Sequence, residues 1–120
     1  MSITKVGIVG SGIMGTGIAE VAAASGHQVV VRSRSRSAAD SVVAGVKKSV
    51  DRQVDKGNRT AEERDEILAR LSVTTELKDL AAADLVIESV VENLTVKLEL
   101  FGELSAICAD DAILATNTST

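Results

Sequence analysis

Apolar residues follow two rhythms along this chain of 120 residues. Short, nearly unbroken runs occur at Lys5 to Val9, Gln28 to Val31, Asp84 to Glu88 and Ala112 to Ala115, with a weaker one at Ser72 to Thr75. Their length and richness in Val and Ile predict strands buried on both faces. Between them the apolar spacing lengthens to three and four, which predicts helices. The first helix ends at Ser25-Gly26, with Gly26 as its C-terminal cap, and carries Ile13, Ile18, Val21 and Ala22 as roughly one stripe. A second, capped by Ser37, runs to about Lys56 with Val42, Val46, Val50 and Val54 on one face. Thr60-Ala61-Glu62-Glu63 is a capping-box pattern that starts a third, through about Leu71, with Ile67, Leu68 and Leu71 inward. These two form an antiparallel hairpin, longer than a plain crossover needs. Glu76 to Leu80 reads as a single turn. Thr95 caps a last helix through about Cys108, burying Val96, Leu100, Leu104 and Ile107.

Strands alternating with helices predict an α/β domain spanning residues 1–120, Rossmann-type and doubly wound. Its sheet is mostly parallel, in the order 3-2-1-4-5, with the helical hairpin between the second and third strands. A sheet ending on the fifth strand has an exposed edge. No internal repeat, low-complexity segment or linker interrupts it.

One polar interruption changes the picture. Gly10-Ser11-Gly12-Ile13-Met14-Gly15 lies between the first strand and the first helix. This is the G-x-G-x-x-G dinucleotide fingerprint in its expected setting. Gly10 allows the tight turn, Gly12 lets the backbone approach a pyrophosphate, and Gly15 lets the helix pack on the sheet. The diphosphate then meets free N–H groups at the helix's positive end, beside Ile13 and Met14.

Composition narrows the class further. Apolar residues make up 45% of the chain, but it holds one Phe and no Tyr or Trp, so the core is aliphatic. A net charge of −4 argues against general nucleic-acid binding. There is no long apolar span and no signal-like start, so a soluble cytoplasmic protein without membrane partners is expected. The single cysteine, Cys108, reads as a small buried apolar residue. No metal-ligand pattern is present. The only histidine, His27, stands at the mouth of the second strand, opposite the expected ligand end, and reads as structural.

The end of the second strand carries the cofactor choice. NAD-binding folds place there an Asp or Glu for the ribose 2′-hydroxyl. This chain has Ser33, within Arg32-Ser33-Arg34-Ser35-Arg36-Ser37. A carboxylate repels a 2′-phosphate, whereas a hydroxyl and the guanidinium groups of Arg32, Arg34 and Arg36 attract it. NADP is therefore expected over NAD; a solvated basic turn is the competing reading.

Together these stretches resemble the NAD(P)-binding domain of the L-3-hydroxyacyl-CoA dehydrogenase family, especially its bacterial 3-hydroxybutyryl-CoA branch. The resemblance covers essentially the whole chain. It rests on 5–19, on Asp84-Leu85-Val86-Ile87-Glu88-Ser89-Val90-Val91-Glu92-Asn93-Leu94, on Val96-Lys97 and Glu99-Leu100-Phe101, and on Ala115-Thr116-Asn117-Thr118-Ser119. The first motif is shared by many nicotinamide enzymes; the others are narrower.

The resemblance implies interconversion of an L-3-hydroxyacyl-CoA and a 3-ketoacyl-CoA by hydride transfer, as part of fatty acid metabolism. It implies that Ser119 hydrogen-bonds the reacting oxygen, with Asn117 beside it. It implies that Glu92 and Lys97 stand at the nicotinamide end, and that Ser49 and Lys56 touch the CoA moiety, against a solvated helix face as the alternative. Glu88 reads as a sheet-edge structural residue. The family's catalytic histidine and its glutamate partner match nothing in these residues, and neither does the helical C-terminal domain that forms the family's homodimer. Cofactor binding with little turnover is thus expected of this chain alone. Two other readings stay open: a non-catalytic dinucleotide-binding module, and a sister 3-hydroxy acid dehydrogenase that does not use CoA.

Overall fold

A computed structural model describes residues 4–10, 12–89, 94–108 and 112–116, with backbone alone for 94–97 and 116. Strands β1 (Lys5–Val9), β2 (Gln28–Arg32), β3 (Leu71–Thr74), β4 (Leu85–Glu88) and β5 (Ile113–Thr116) form one parallel sheet. Its order is β3-β2-β1-β4-β5, as expected from the sequence. Helices α1 (Ile13–Ala24), α2 (Arg36–Asp55), α3 (Ala61–Arg70) and α4 (Leu94–Ile107), with a 3-10 turn at Leu77–Leu80, make the crossovers. The chain first winds outward from β1 to β3, then crosses back to β4. That reversal opens a crevice at the carboxyl ends of β1 and β4, where such folds bind ligands.

Strand periodicity divides the core into two layers. Val6 and Ile8 of β1, with Val29 and Val31 of β2, join Val42, Val46 and Val50 of α2 and Ile67 of α3. Val9 and Val30 point the other way and join Leu80, Val86, Leu100 and Leu104. The valine stripe of α2 is buried as expected, Val54 only partly.

Helix α1 departs from its expected stripe. The residues it buries are Gly15, Ala19 and Ala23, spaced by four. Ile18 and Ala22 are partly buried, while Val21 is 67% and Ile13 94% exposed. Small residues face the sheet because α1 approaches it closely at the glycine turn; its larger side chains are turned outward.

Several boundaries also move. Leu71 belongs to β3 rather than to α3: its backbone is extended and it pairs with Val29. Spacing could not decide this, since Leu71 is four from Ile67 and two from Val73. Ser35, not Ser37, caps α2, its hydroxyl accepting from the Ala38 N–H at 3.2 Å. Thr60 caps α3 with the full reciprocal box through Glu63. Thr95 is the second residue of α4 and so cannot cap it. β5 begins at Ile113, one residue later than expected.

Asp84, expected as the first residue of β4, lies just before it and pins β1 instead. One of its carboxylate oxygens accepts from the Thr4 N–H (2.9 Å), the Lys5 N–H (3.0 Å) and the Thr4 hydroxyl (3.0 Å). These bonds, led by the Thr4 N–H, hold its pKa below the ordinary aspartate value.

Three outcomes follow for stability. Ile67→Ala costs about 2–5 kcal/mol in urea unfolding, as a cavity in the α2–α3 layer. Val21→Ala, on the exposed flank of α1, changes it by less than about 0.5 kcal/mol. For Asp84 the depressed folded pKa means that its stabilisation is present above the ordinary aspartate value and fades as pH falls through the folded one. The stability gap between wild type and Asp84→Asn is therefore widest at neutral pH and narrows in acid. Parallel urea titrations across pH check it; a gap independent of pH speaks against the pin.

Candidate functional site: the glycine turn and the end of β2

At Gly10, φ is +123°, a region L side chains rarely adopt. Space excludes a side chain as well: a β-carbon there would lie 2.2 Å from the Ser89 carbonyl oxygen, just past β4. The Gly10 N–H donates to the Arg32 carbonyl at 3.0 Å and ties the turn to the end of β2. A β-carbon on Gly15 would lie 2.3 Å from the Gly10 carbonyl oxygen. Both glycines are demanded by the chain's own backbone.

Gly12 is different. Its backbone is ordinary extended (φ −73°, ψ −169°), and a β-carbon there would meet no atom within 4 Å. Nothing in the described residues requires a glycine there, as nothing does at Gly17 or Gly102, and the bare backbone leaves room for a ligand. The neighbouring amides agree. Helices α2 and α3 have side-chain caps, but no side chain among the described residues caps α1. Its first N–H groups stay open to an outside acceptor at the positive end of the helix. Ile13 and Met14 flank them, 94% and 59% exposed. This cradle fits a diphosphate.

Ser33 follows β2 directly, across the strand pair from the glycine turn. Its N–H donates to the Thr74 carbonyl at 2.9 Å. Ser33 is 2% exposed, and its hydroxyl has no hydrogen-bond partner among the described residues. Such an orphan costs about 1–3 kcal/mol; the oxygen is closed off from solvent, so a ligand oxygen relieves it only once the side chain turns outward.

The arginines around it differ in what they hold. Arg32 is half-buried and its Nε donates to the Thr75 carbonyl at 3.2 Å. Arg36 turns Nε and Nη2 onto Asp40 Oδ1, at 3.1 and 2.9 Å. Arg34 is exposed, with no hydrogen bond or ion pair among the described residues. All three arginines are expected at the phosphate from the sequence; the i, i+4 spacing of Arg36 and Asp40 on a helix is the signal for the pair that engages one of them.

Four expected site residues are beyond comparison. Glu92, Asn117 and Ser119 lie outside the described residues, and of Lys97 only the backbone, in the first turn of α4, is described. Ser49 is half-buried and its hydroxyl accepts from Gln53 Nε2 at 3.3 Å. Lys56 is exposed at the C-terminal cap of α2. Glu88 is fully buried and paired between β1 and β5, so it sits inside the sheet rather than at its edge. Cys108 is half-buried, and burial pushes its thiol pKa up. His27 precedes β2 at the sheet's amino end, away from the glycine turn.

An open groove of about 870 Å³ follows the outer flank of α1, between Ile13, Met14 and Val21 and the strand residues Leu85 and Ile87. It is too apolar for a diphosphate and meets the turn only at Ile13 and Met14. Among the described residues there is no cluster of metal-ligating side chains, and no helix is long and apolar enough to cross a membrane.

Residues 5–120 match the family model described as 3-hydroxyacyl-CoA dehydrogenase, NAD binding domain. A 3-hydroxybutyryl-CoA dehydrogenase of Clostridioides difficile is 41% identical over 115 residues, covering 96% of this chain and 41% of that protein. The crystal structure of 3-hydroxybutyryl-CoA dehydrogenase from Escherichia coli K12 aligns with a TM-score of 0.98 at 42% identity, over 100% of this chain and 25% of that one. That of Mycobacterium tuberculosis FadB2 aligns at 0.96 and 45%, over 100% and 42%. The chain thus spans about two fifths of the C. difficile relative's length. With the fingerprint, the strand order and these matches in agreement, the chain belongs to the 3-hydroxyacyl-CoA dehydrogenase family, through its NAD-binding domain.

Proposed function

We propose that this chain is the cofactor-binding part of an oxidoreductase that interconverts an L-3-hydroxyacyl-CoA, 3-hydroxybutyryl-CoA first among them, and the 3-ketoacyl-CoA, and that it takes NADP in preference to NAD. The observation that carries the cofactor-binding part is the glycine turn after β1, which leads through Gly12 into a helix start with no side-chain cap; the family match supports the reaction. The bound dinucleotide supplies the hydride chemistry; the protein binds and orients it. Gly10 and Gly15 set the turn, Gly12 gives clearance, and the first amides of α1 receive the diphosphate. Ser33 and the adjoining cations take the adenosine ribose with its 2′-phosphate. The partnerless hydroxyl of Ser33 supports a ligand there, and the lack of a carboxylate at that position supports the phosphate.

Substrate roles follow from the family pattern. Ser119 and Asn117 hold the reacting oxygen, Glu92 and Lys97 lie at the nicotinamide end, and Ser49 and Lys56 face the CoA. For Ser49 this needs its bond from Gln53 to be shared or exchanged. The only histidine lies at the far end of the sheet, so the chain alone has no histidine base for the alcohol proton. General-base help worth about 10²–10⁴-fold is then missing, and turnover by these residues alone is low.

Substitutions separate the two kinds of glycine. Gly12→Ala costs at most about 1 kcal/mol of stability, yet weakens dinucleotide binding at least ~10-fold. Gly10→Ala adds backbone strain of about 1–3 kcal/mol to a steric clash and compromises the fold itself. Thermal melts beside a titration of nicotinamide fluorescence test this pair. Unchanged binding in Gly12→Ala sinks the cofactor reading.

Cofactor choice has its own test. Without tryptophan the background fluorescence is low. Wild type binds NADPH more tightly than NADH at low salt, and the advantage shrinks as salt rises. Ser33→Asp reverses the order. Equal or tighter NADH binding by wild type overturns the NADP preference.

A further inference from the structure

The basic turn after β2 runs into an ion pair, Arg36 with Asp40. Arg36 is the first residue of α2, a helix of 20 residues with no acid in its first turn. A cation there is opposed by the helix dipole. Its charge is balanced one turn on, where Nε and Nη2 both lie on Asp40 Oδ1. Both side chains are 63% exposed, so the pair is solvated and easily exchanged. Arg34, two residues earlier and exposed, has no such partner among the described residues. Arg32 is fixed to the Thr75 carbonyl. Three neighbouring arginines therefore stand in three conditions: fixed, free, and held by an acid.

We infer that Asp40 is a specificity-determining residue that limits selection of the 2′-phosphate, by competing with it for Arg36 while Arg34 makes the primary contact. The inference rests on the NADP reading of the site above. A phosphate dianion and the Asp40 carboxylate are rivals for one guanidinium fork, since the atoms Arg36 gives to Asp40 are those a bidentate phosphate contact uses. Plain charge repulsion of the phosphate by Asp40, without any part for Arg36, is the rival explanation. The first effect passes through Arg36 and the second does not, which makes them separable. The unphosphorylated ribose of NADH offers no anion to compete, so Asp40 leaves NADH affinity alone. None of these side chains is buried in the core, and each can be replaced without creating a cavity.

The test is a double-mutant cycle read by NADPH fluorescence titration at low salt, with NADH as control. Arg34→Ala lowers NADPH affinity ~10-fold and leaves NADH unchanged. Asp40→Asn raises NADPH affinity roughly 2- to 5-fold, the range set by an exposed ion pair. In an Arg36→Ala background the gain from Asp40→Asn disappears. A gain that persists without Arg36 is general charge repulsion and overturns the competition. No gain in either background overturns it too, and an Arg34→Ala variant with wild-type NADPH affinity removes Arg34 as the primary contact. If wild type binds NADH as tightly as NADPH, the NADP preference fails by itself. The cycle still decides the present inference, because it compares NADPH affinities among the four variants alone. Absence of NADPH binding altogether overturns both. Far-UV circular dichroism of each variant confirms that helix content is kept.

Discussion

The Ser89 carbonyl and the backbone of Gly10 stand too close for any side chain between them, and much of the structure follows from that approach. It joins the end of β1 to the end of β4, the two strands between which the winding of the sheet reverses. Gly15 then packs on the Gly10 carbonyl, so three pieces of backbone from separate elements set the shape of one turn. A helix brought in this close can present only small residues to the sheet. Gly15, Ala19 and Ala23 do so, and the bulk of α1 is displaced to its outer side. The exposed Ile13 and Val21 and the apolar groove beside them are thus consequences of the same contact. Large exposed apolar surfaces of this kind mark places where other matter packs; among the described residues none does.

Across the β1–β2 pair, the turn is tied to a second region with the opposite character. Gly10 bonds to Arg32, and Ser33, the next residue, bonds to the end of β3. Little freedom is left to the backbone here, so cofactor choice falls to side chains. The start of α2 gathers positive charge from Arg34, Arg36 and the helix dipole itself, against the trend for helix N-termini. A fold on its own gains nothing from cations in that place. Asp40 offsets one of them, and a bound anion would offset the others.

Most of the fold was legible because its signals were redundant. The β1 and β2 runs, the valine stripe of α2 and the capping box at Thr60 each had a single reading, and the strand order followed from winding rules. What failed were places where one sequence serves two periods or has two equal caps. Leu71 satisfies both the helix and the strand, and Ser35 and Ser37 are equivalent until geometry chooses. The stripe on α1 was misjudged for a deeper reason. Hydrophobicity predicts which face is buried only when there is room for large side chains, and here close approach selected size instead. At the site, the positions of the glycines and of Ser33 were legible, but the engagement of each arginine was not, since a run of alternating Arg and Ser has no packing pattern to read.

The glycines show how structure sharpens a motif that sequence leaves ambiguous. A G-x-G-x-x-G run whose three glycines were all explained by contacts within the chain would say nothing about a ligand; it would be a tight turn and no more. Two of the three here are explained in that way, by the Ser89 and Gly10 carbonyl oxygens. The middle one is not, for an added β-carbon would point into open space from an unstrained backbone. Among the described residues nothing gives Gly12 a packing role, and at the start of α1 it forgoes the stabilisation that a serine or aspartate cap would give. Clear space alone does not single Gly12 out, since Gly17 and Gly102 have it too; its place at the start of a helix without a side-chain cap does. The amides beside it, at the positive end of α1, are suited to hold an anion.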